Sequence, residues 1–178
     1  MRKLQNSELN RLNIIEFKIA HKLPVTVVLD NIRSLYNIGS VFRTADAFLI
    51  EKICLCGITA QPPHRDIHKS ALGATETVSW KYFPHTLQAV EELRSGNYML
   101  IAVEQTDKSI PITAFRPQVN HKYALIFGHE IRGVDQDIID RCDMSIDIPQ
   151  FGTKHSLNIS VSAGIVLWYL HSELSKLL

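Results

Sequence analysis

The sequence predicts an α/β protein whose mostly parallel sheet is flanked by helices. Short apolar runs rich in β-branched residues recur along the chain, and segments with helical spacing lie between them. Strands that alternate with helices are typical of a parallel sheet, because each helix returns the chain to the same edge. The length of 178 residues, with 46% hydrophobic and 21% charged side chains, is enough for one domain with a buried core.

Six strands and five helices are predicted from these patterns. The strands are expected at residues 25–29, 52–58, 78–83, 98–103, 123–127 and 144–148. The helices are expected at residues 7–22 with Ser7 as cap, at 37–48 with Asn37 as cap, and at 87–94, 136–141 and 158–178. Residues 60–70, rich in Pro and His, are expected to form a loop.

The last helix is preferred to a strand because its apolar spacing continues far past Gly164. Ser156 or Asn158 would cap it. We predict two parts of the chain, a helical extension at residues 1–22 and the main domain at residues 23–178.

Charge and composition limit the partners and the compartment. The net charge is +1, but residues 1–22 hold five basic against two acidic side chains, and residues 61–69 form a second basic patch. Both patches are suited to contacts with phosphates. If only the charge is considered, the simpler interpretation of each patch is an ordinary solvated surface. No apolar run approaches the roughly 20 residues that span a bilayer, and no secretory segment follows Met1, so we expect a cytoplasmic protein without a membrane partner.

Polar residues cluster where three of the predicted strands end. In the first cluster, Asn37 opens a helix on which Arg43 lies away from the apolar face, three residues before Asp46. A guanidinium near a helix start can grip a phosphate through two hydrogen bonds. The simpler interpretation is an exposed Arg–Asp pair worth a few tenths of a kcal/mol.

The second cluster follows the strand at residues 123–127. Gly128 would let the backbone approach a ligand, Gly133 would relieve the next turn, and Glu130 would point into the mouth of a site. A turn with two structural glycines explains the pattern equally well. The sequence has no G-x-G-x-x-G after its first strand and no Walker lysine pattern, which argues against an ordinary dinucleotide or ATP site.

The third cluster is the polar start of the last helix. Ser156 and Asn158 offer hydroxyl, amide and backbone N–H groups together. Capping explains one of them, but not the polar residues that continue to Ser162. His155 beside Ser156 suggests a hydrolase pair, yet sequence neighbours rarely meet in catalytic geometry.

Taken together, the three clusters resemble the motifs of the SpoU/TrmH family of RNA ribose methyltransferases, within the SPOUT superfamily. The first motif is matched by NIGSVFRTA at residues 37–45, the second by FGHEIRG at 127–133, and the third by IPQFG at 148–152 with SLNISV at 156–161. The chain departs from the family at His129-Glu130-Ile131, where an Asn-Glu-Gly type sequence is common, but it keeps the Glu.

The resemblance implies a fold, a cofactor and an assembly. The C-terminal part of the sheet would form a deep trefoil knot, a topology that general connection rules disfavour. S-adenosylmethionine would bind in that knot, and the protein would be a homodimer with sites near the subunit interface. The implied cofactor-binding residues are Val103, Gly128, Ile148 and Leu157.

The implied activity is that of an RNA (ribose-2′-O-)-methyltransferase. The family's catalytic arginine corresponds to Arg43, and a guanidinium is a poor base because its pKa exceeds about 12. We therefore expect Arg43 to grip the RNA phosphate and stabilise charge. Asn37 and Glu130 would orient it or the ribose, and Ser156 with Asn158 would complete the pocket floor. The residues expected to bind RNA outside the active site are Arg65, His68 and Lys69, together with residues 1–22.

Three alternatives stay open. The first is a non-catalytic RNA-binding module with the same fold, and the second is a methyltransferase that acts on a base. The third is a metalloenzyme, since His64 and His68 are four residues apart, but Pro62 and Pro63 favour a loop there and no metal is expected. Transfer RNA and ribosomal RNA are both possible substrates, and the small size of the chain favours transfer RNA.

Overall fold

The computed structural model describes residues 1–177, which contain a seven-stranded parallel sheet. The strands are β1 (Leu23–Asp30), β2 (Ile50–Cys56), β3 (Ser79–Phe83), β4 (Tyr98–Val103), β5 (Ile110–Pro111), β6 (Lys122–Phe127) and β7 (Met144–Asp147). Their order across the sheet is β3-β2-β1-β6-β4-β7-β5. The predicted α/β class is confirmed, and of the seven strands only the two-residue β5 was not predicted.

Helices cover both faces of the sheet. They are α1 (Ile14–Ile19), α2 (Leu35–Ala47), α3 (Arg65–Ala71), α4 (Ala74–Thr77), α5 (Thr86–Ser95), α6 (Gln136–Ile139) and α7 (Ile159–Ser175), with 3₁₀ turns at Asn6–Glu8 and Ile112–Ala114. Side chains of β1 alternate between the two cores, because successive residues of a strand point to opposite faces. Val27 packs in the larger core with α2 and α7, and Val28 packs in the smaller one with α5 and α6.

The N-terminal extension is much less helical than predicted over residues 7–22. α1 covers six residues and starts at a capping box between Asn13 and Glu16, so Ser7 is not its cap. The helical path is interrupted at Asn10, whose φ of 47° lies in the left-handed region. Only Phe17 of α1 is buried, so the apolar spacing in this segment does not mark a core-facing stripe.

The loop predicted at residues 60–70 contains α3. His64 caps this helix, because its Nδ1 accepts a hydrogen bond from the backbone N–H of Asp66 at 3.2 Å. Proline is tolerated next to a helix start, so Pro62 and Pro63 do not prevent a helix from following them. α3 then packs closely against α2 at Gly39, where a Cβ would lie 2.1 Å from Ser70 Oγ and 2.4 Å from the Ile67 carbonyl oxygen.

The C-terminal helix forms as predicted, from Asn158 as cap to Ser175. The predicted end of this helix, Leu178, lies outside the described residues. Within residues 1–177, no helix is both long and apolar enough to cross a membrane.

Candidate active site

A cavity of about 500 Å³ opens at the carboxyl ends of the adjacent strands β6, β4 and β7. Ligands of parallel α/β sheets bind at this edge, and the volume is within the usual range of about 300–1,000 Å³. The walls come from residues 103–105, residues 127–133, and parts of residues 146–150 and 155–162. The second and third sequence clusters therefore meet around one cavity.

The wall after β6 is a tight loop held against itself. A Cβ on Gly128 would lie 2.1 Å from both the Gly133 carbonyl carbon and the Val134 nitrogen. Gly133 adopts a φ of 69°, which few other residues tolerate, and its backbone exchanges hydrogen bonds of 3.0 and 2.8 Å with His129. The predicted role of Gly133 in a turn is confirmed. Gly128 was expected to let the backbone approach a ligand. Its close neighbour is instead the backbone of Gly133 and Val134, so the absence of a Cβ lets the loop fold back on itself.

His129 stands where an Asn was expected, and it makes the hydrogen bond that an Asn commonly makes. Its Nδ1 accepts from the backbone N–H of Ile131 at 3.0 Å, and the residue is only 8% exposed. Asn side chains bond the backbone two residues ahead in the same way. The departure from the family pattern therefore preserves the turn. A neutral ring whose Nδ1 accepts carries its proton on Nε2.

Glu104 is a cavity residue that the sequence reasoning missed. Its carboxylate accepts hydrogen bonds from the backbone N–H of Val134 at 3.0 Å and of Gln105 at 2.9 Å. The Gln105 amide donates to the carbonyl oxygen of His155 at 2.9 Å, which joins two walls of the cavity. The sequence feature that could have identified Glu104 as a site residue is its position directly after the buried strand β4.

Glu130 connects this cavity to the first sequence cluster. Its carboxylate accepts from the backbone N–H groups of Arg33 at 3.1 Å and Ser34 at 2.9 Å, where an anion is favoured by the start of α2. The Asn37 amide lies 3.4 Å from the same carboxylate. Partial burial acts to raise the pKa of Glu130, but the hydrogen bonds from Ser34 and Arg33 outweigh it and lower the pKa.

Asn37 does not cap α2, contrary to the prediction. Ser34 is the cap, and its Oγ accepts from the Asn37 backbone N–H at 3.3 Å. Asn37 is buried in the first turn, where its side chain faces Glu130. The first motif, which contains Asn37, and the second motif, which contains Glu130, are therefore in contact within one chain.

Arg43 is not part of the cavity wall. It is exposed on α2, six residues or about 9 Å along the helix axis from Asn37. Among residues 1–177 it has no hydrogen bond or ion pair through its side chain. The alternative of an Arg43–Asp46 pair does not form among the described residues; Asp46 accepts a hydrogen bond from Thr77 Oγ1 at 2.5 Å instead.

The third cluster forms the start of α7 beside the cavity. Asn158 Oδ1 accepts from the Ser160 backbone N–H at 2.9 Å and from its Oγ at 2.6 Å. Ser156 and Leu157 line the cavity next to it. The N-terminus of a helix carries partial positive charge and free N–H groups, so this end of the cavity offers hydrogen-bond donors.

One carboxylate oxygen of a cavity residue lacks a partner. Asp147 Oδ1 is buried and has no hydrogen bond to any of residues 1–177, whereas Glu104 and Glu130 both accept bonds from backbone. A buried carboxylate oxygen without a donor is costly. The cavity therefore favours a ligand that brings hydrogen-bond donors or positive charge.

The three residues expected to bind RNA lie outside the cavity, on α3. Lys69 pairs with Asp66 at 2.9 Å, the His68 ring lies 3.5 Å from Thr75 Oγ1, and Arg65 is exposed. In the described part of the chain, no group of three or more His, Cys, Asp or Glu residues could hold a metal ion.

Comparison with known proteins agrees with these motifs. Residues 24–168 match the model of the SpoU rRNA Methylase family. The 23S rRNA (guanosine-2'-O-)-methyltransferase RlmB of Neisseria meningitidis serogroup B is 30% identical over 144 residues, which are 81% of this chain and 56% of that protein. The tRNA (guanosine(18)-2'-O)-methyltransferase of Borreliella burgdorferi is 26% identical over 152 residues, or 85% of this chain and 68% of that protein. This chain thus spans little more than half the length of RlmB.

Solved structures share the fold. The A. aeolicus TrmH/SpoU tRNA modifying enzyme gives a TM-score of 0.81 at 21% identity, over 92% of this chain and 81% of that chain. The AdoMet-bound rRNA methyltransferase from Sinorhizobium meliloti gives 0.79 at 24% identity, over 84% of this chain and 56% of that chain. Because the family model covers most of the sequence, including all three motifs, the protein belongs to the SpoU rRNA methylase family.

Proposed function

We propose that the protein is an S-adenosylmethionine-dependent methyltransferase that transfers a methyl group to the 2′-hydroxyl of an RNA ribose. The observation that carries this proposal is the meeting of the second and third motifs around one cavity, to which Glu130 ties the first motif. Relatives of the same family act on ribosomal and on transfer RNA. We favour transfer RNA as the substrate.

The residues of the cavity fit S-adenosylmethionine. This cofactor carries a sulfonium, an ammonium and several N–H and O–H donors, and the free oxygen of Asp147 needs such a partner. Val103, Gly128, Ile148 and Leu157 all line the cavity and would hold the cofactor, largely through backbone groups. The bound cofactor supplies an electrophilic methyl group through its sulfonium.

The side chains around the cavity would then position the RNA. Ser156 and Asn158 would form the floor that holds the ribose, with its 2′-hydroxyl in line with the methyl group. Arg43 would bind the adjacent phosphate and stabilise negative charge that develops on the ribose oxygen. Glu130 and Asn37 would fix the start of α2 and hence the position of Arg43. A 2′-hydroxyl target also distinguishes RNA from DNA.

We propose that the active protein is a homodimer in which Arg43 of one chain serves the cavity of its partner. Three large apolar side chains lie exposed on one stripe of α7, with Val161 49%, Ile165 37% and Trp168 59% exposed. Apolar side chains at this spacing suit a helix-to-helix contact. The position of Arg43 away from the cavity of its own chain supports this arrangement.

The sequence assigns residues 1–22 to an extension and residues 23–178 to the methyltransferase domain, and we retain this division as a proposal. The trefoil knot and the cytoplasmic location likewise stay predictions; the likeness to solved SpoU structures supports the knot.

The activity is tested with labelled S-adenosylmethionine and unmodified transfer RNA and ribosomal RNA transcripts, beside the Arg43→Ala variant. We expect label in one class of RNA, at a bond that becomes resistant to nuclease. Label at a base would instead indicate a base methyltransferase. An absence of both label and cofactor binding would favour the non-catalytic RNA-binding module.

The shared site is tested by mixing subunits of two inactive variants. Arg43→Ala keeps the cofactor cavity, and Leu157→Arg places a cation in it while keeping Arg43. If Arg43 acts across the interface, mixed dimers recover one working site, or about a quarter of the wild-type activity after random exchange. If Arg43 acts within its own chain, the mixture stays inactive.

A further inference from the structure

α2 and α3 together present an exposed face beside the active-site motifs. The two helices cross at Gly39, whose missing side chain lets Ser70 approach. Tyr36 lies three residues before Gly39 on α2, and Lys69 lies one residue before Ser70 on α3. Both residues therefore lie within about one helical turn of the crossing point.

Tyr36 shares a stripe of α2 with Arg43. Positions 36, 40 and 43 are spaced four and seven residues apart, so they point in nearly the same direction. Tyr36 is 55% exposed, and its side chain makes no hydrogen bond to other residues in the range 1–177. Its ring is therefore free to accept a stacked partner.

Exposed basic side chains occur on α2, on α3 and just before α2. Arg33, Arg43 and Arg65 are exposed, and none of them has an ion pair among the described residues. Lys69 is half exposed and pairs with Asp66. The pKa of Lys69 is raised first by Asp66 and then by Tyr36, which agrees with a short separation between the tyrosine and the lysine.

We propose that Tyr36 is a stacking platform for an RNA base next to the methylated nucleotide, with Lys69 holding the phosphate of the stacked nucleotide. The proposal rests on the proposed function, and it adds a residue that no motif comparison assigned to RNA contact. Single-stranded RNA is recognised by stacking of unpaired bases on aromatic rings, combined with cations that follow the backbone. The Tyr36 ring lies in line with Arg43 and near Lys69, and so combines an aromatic surface with neighbouring cations.

The test compares Tyr36→Ala, Tyr36→Leu and Tyr36→Phe with wild type. Binding is measured by fluorescence anisotropy with fluorescein-labelled unmodified transfer RNA transcripts and with a single-stranded RNA of about 12 nucleotides. We expect Tyr36→Ala to weaken RNA binding about 5- to 150-fold, Tyr36→Leu to weaken it nearly as much, and Tyr36→Phe to retain it. The affinity for S-adenosylmethionine should not change.

The salt dependence of RNA binding distinguishes the role of Tyr36 from that of Lys69. The slope of log affinity against log salt should stay the same in Tyr36→Ala and become shallower by about one in Lys69→Ala, because only the lysine neutralises a phosphate. Sedimentation of Tyr36→Ala in the absence of RNA should give the same oligomeric state as wild type.

Several outcomes would overturn the platform. They are unchanged RNA affinity in Tyr36→Ala, full affinity in Tyr36→Leu, or loss in Tyr36→Phe, which would assign the effect to the hydroxyl. Dissociation of the oligomer in Tyr36→Ala would mean that this face contacts a second copy of the chain. A wild-type protein that methylates no RNA would instead count against the proposed function, since that assay does not involve Tyr36 variants.

Discussion

The cavity at the carboxyl ends of β6, β4 and β7 differs from the α2–α3 face in how its polar groups are satisfied. In the cavity, Glu104, Glu130 and His129 accept hydrogen bonds from backbone N–H groups of the same chain. On the α2–α3 face, Arg43 and Arg65 point into solvent without an ion pair among residues 1–177. The first region is preorganised by the fold, whereas the second needs a polyanion or a partner subunit to use its charges.

The largest expected effect comes from the solvent-facing region. Arg43→Ala should lower methyl transfer to RNA by about 100-fold or more, because a donor to developing charge would be lost. S-adenosylmethionine affinity, measured by calorimetry, should stay unchanged. Arg43→Lys serves as the control and should rescue little, since a lysine cannot make the two-pronged contact. Equal loss of cofactor binding in Arg43→Ala would contradict the separation between the two regions.

A second prediction concerns the preorganised wall. Gly128→Ala places a Cβ about 2.1 Å from the Gly133–Val134 backbone, so the loop must move. We expect a loss of about 1–3 kcal/mol in the free energy of unfolding and weaker cofactor binding. The matched control is Gly152→Ala, whose Cβ would meet nothing within 4 Å. Equal thermal stability of the two variants would show that the close approach at Gly128 is not needed.

The link between the regions, Glu130, predicts a pH dependence. Its pKa is lowered in the folded protein, so the ionised side chain contributes to the free energy of unfolding. This contribution is complete above the ordinary carboxyl pKa of about 4.3, and it is lost as the pH falls through the lower pKa of the folded protein. Glu130→Gln should lower the free energy of unfolding by about 1 kcal/mol at pH 7, a modest amount because the group is partly solvated. Thermal melts between pH 7 and pH 3 should show the variant and wild type converging in acid. A constant difference across this range would contradict the assignment.

An effect no larger than that of Glu130→Gln, but on cofactor binding, is expected at His129. His129→Ala removes the acceptor for the Ile131 N–H and should weaken cofactor binding about fivefold, the equivalent of about 1 kcal/mol. His129→Asn restores an acceptor at the same place and should bind the cofactor nearly as well as wild type. Titration with S-adenosylmethionine measures both variants. If the Asn variant binds as weakly as the Ala variant, the ring itself and not the turn is what matters.

Local patterns were reliable where burial and periodicity agreed. The apolar run at residues 98–103 became β4 with the predicted limits, and the helix after Gly164 continued because its apolar spacing matched a face buried against the sheet. The same reasoning failed for residues 7–22, where only Phe17 is buried. It also failed at α3, where a helix follows two prolines and is held by packing at Gly39.

For the candidate site, the sequence supplied most of the residues and the tertiary structure supplied their relations. Gly128, Glu130, Leu157 and Asn158 were all expected and all line one cavity. Glu104 and Asp147 were missed, because a carboxylate after a strand gains meaning only when its hydrogen-bond partners are known. The capping role of Asn37 was assigned wrongly for the same reason, since its partner Glu130 lies 93 residues away in the chain.

The sequence by itself determined the α/β class, the positions of six of the seven strands and the three motifs, because each depends on residues that are neighbours along the chain. Only the tertiary structure decided that Glu130 anchors α2, that α3 crosses α2 at Gly39, and that Arg43 stays outside the cavity of its own chain. These features join segments far apart in sequence. Their geometry follows from strand order and helix packing, which no local pattern encodes.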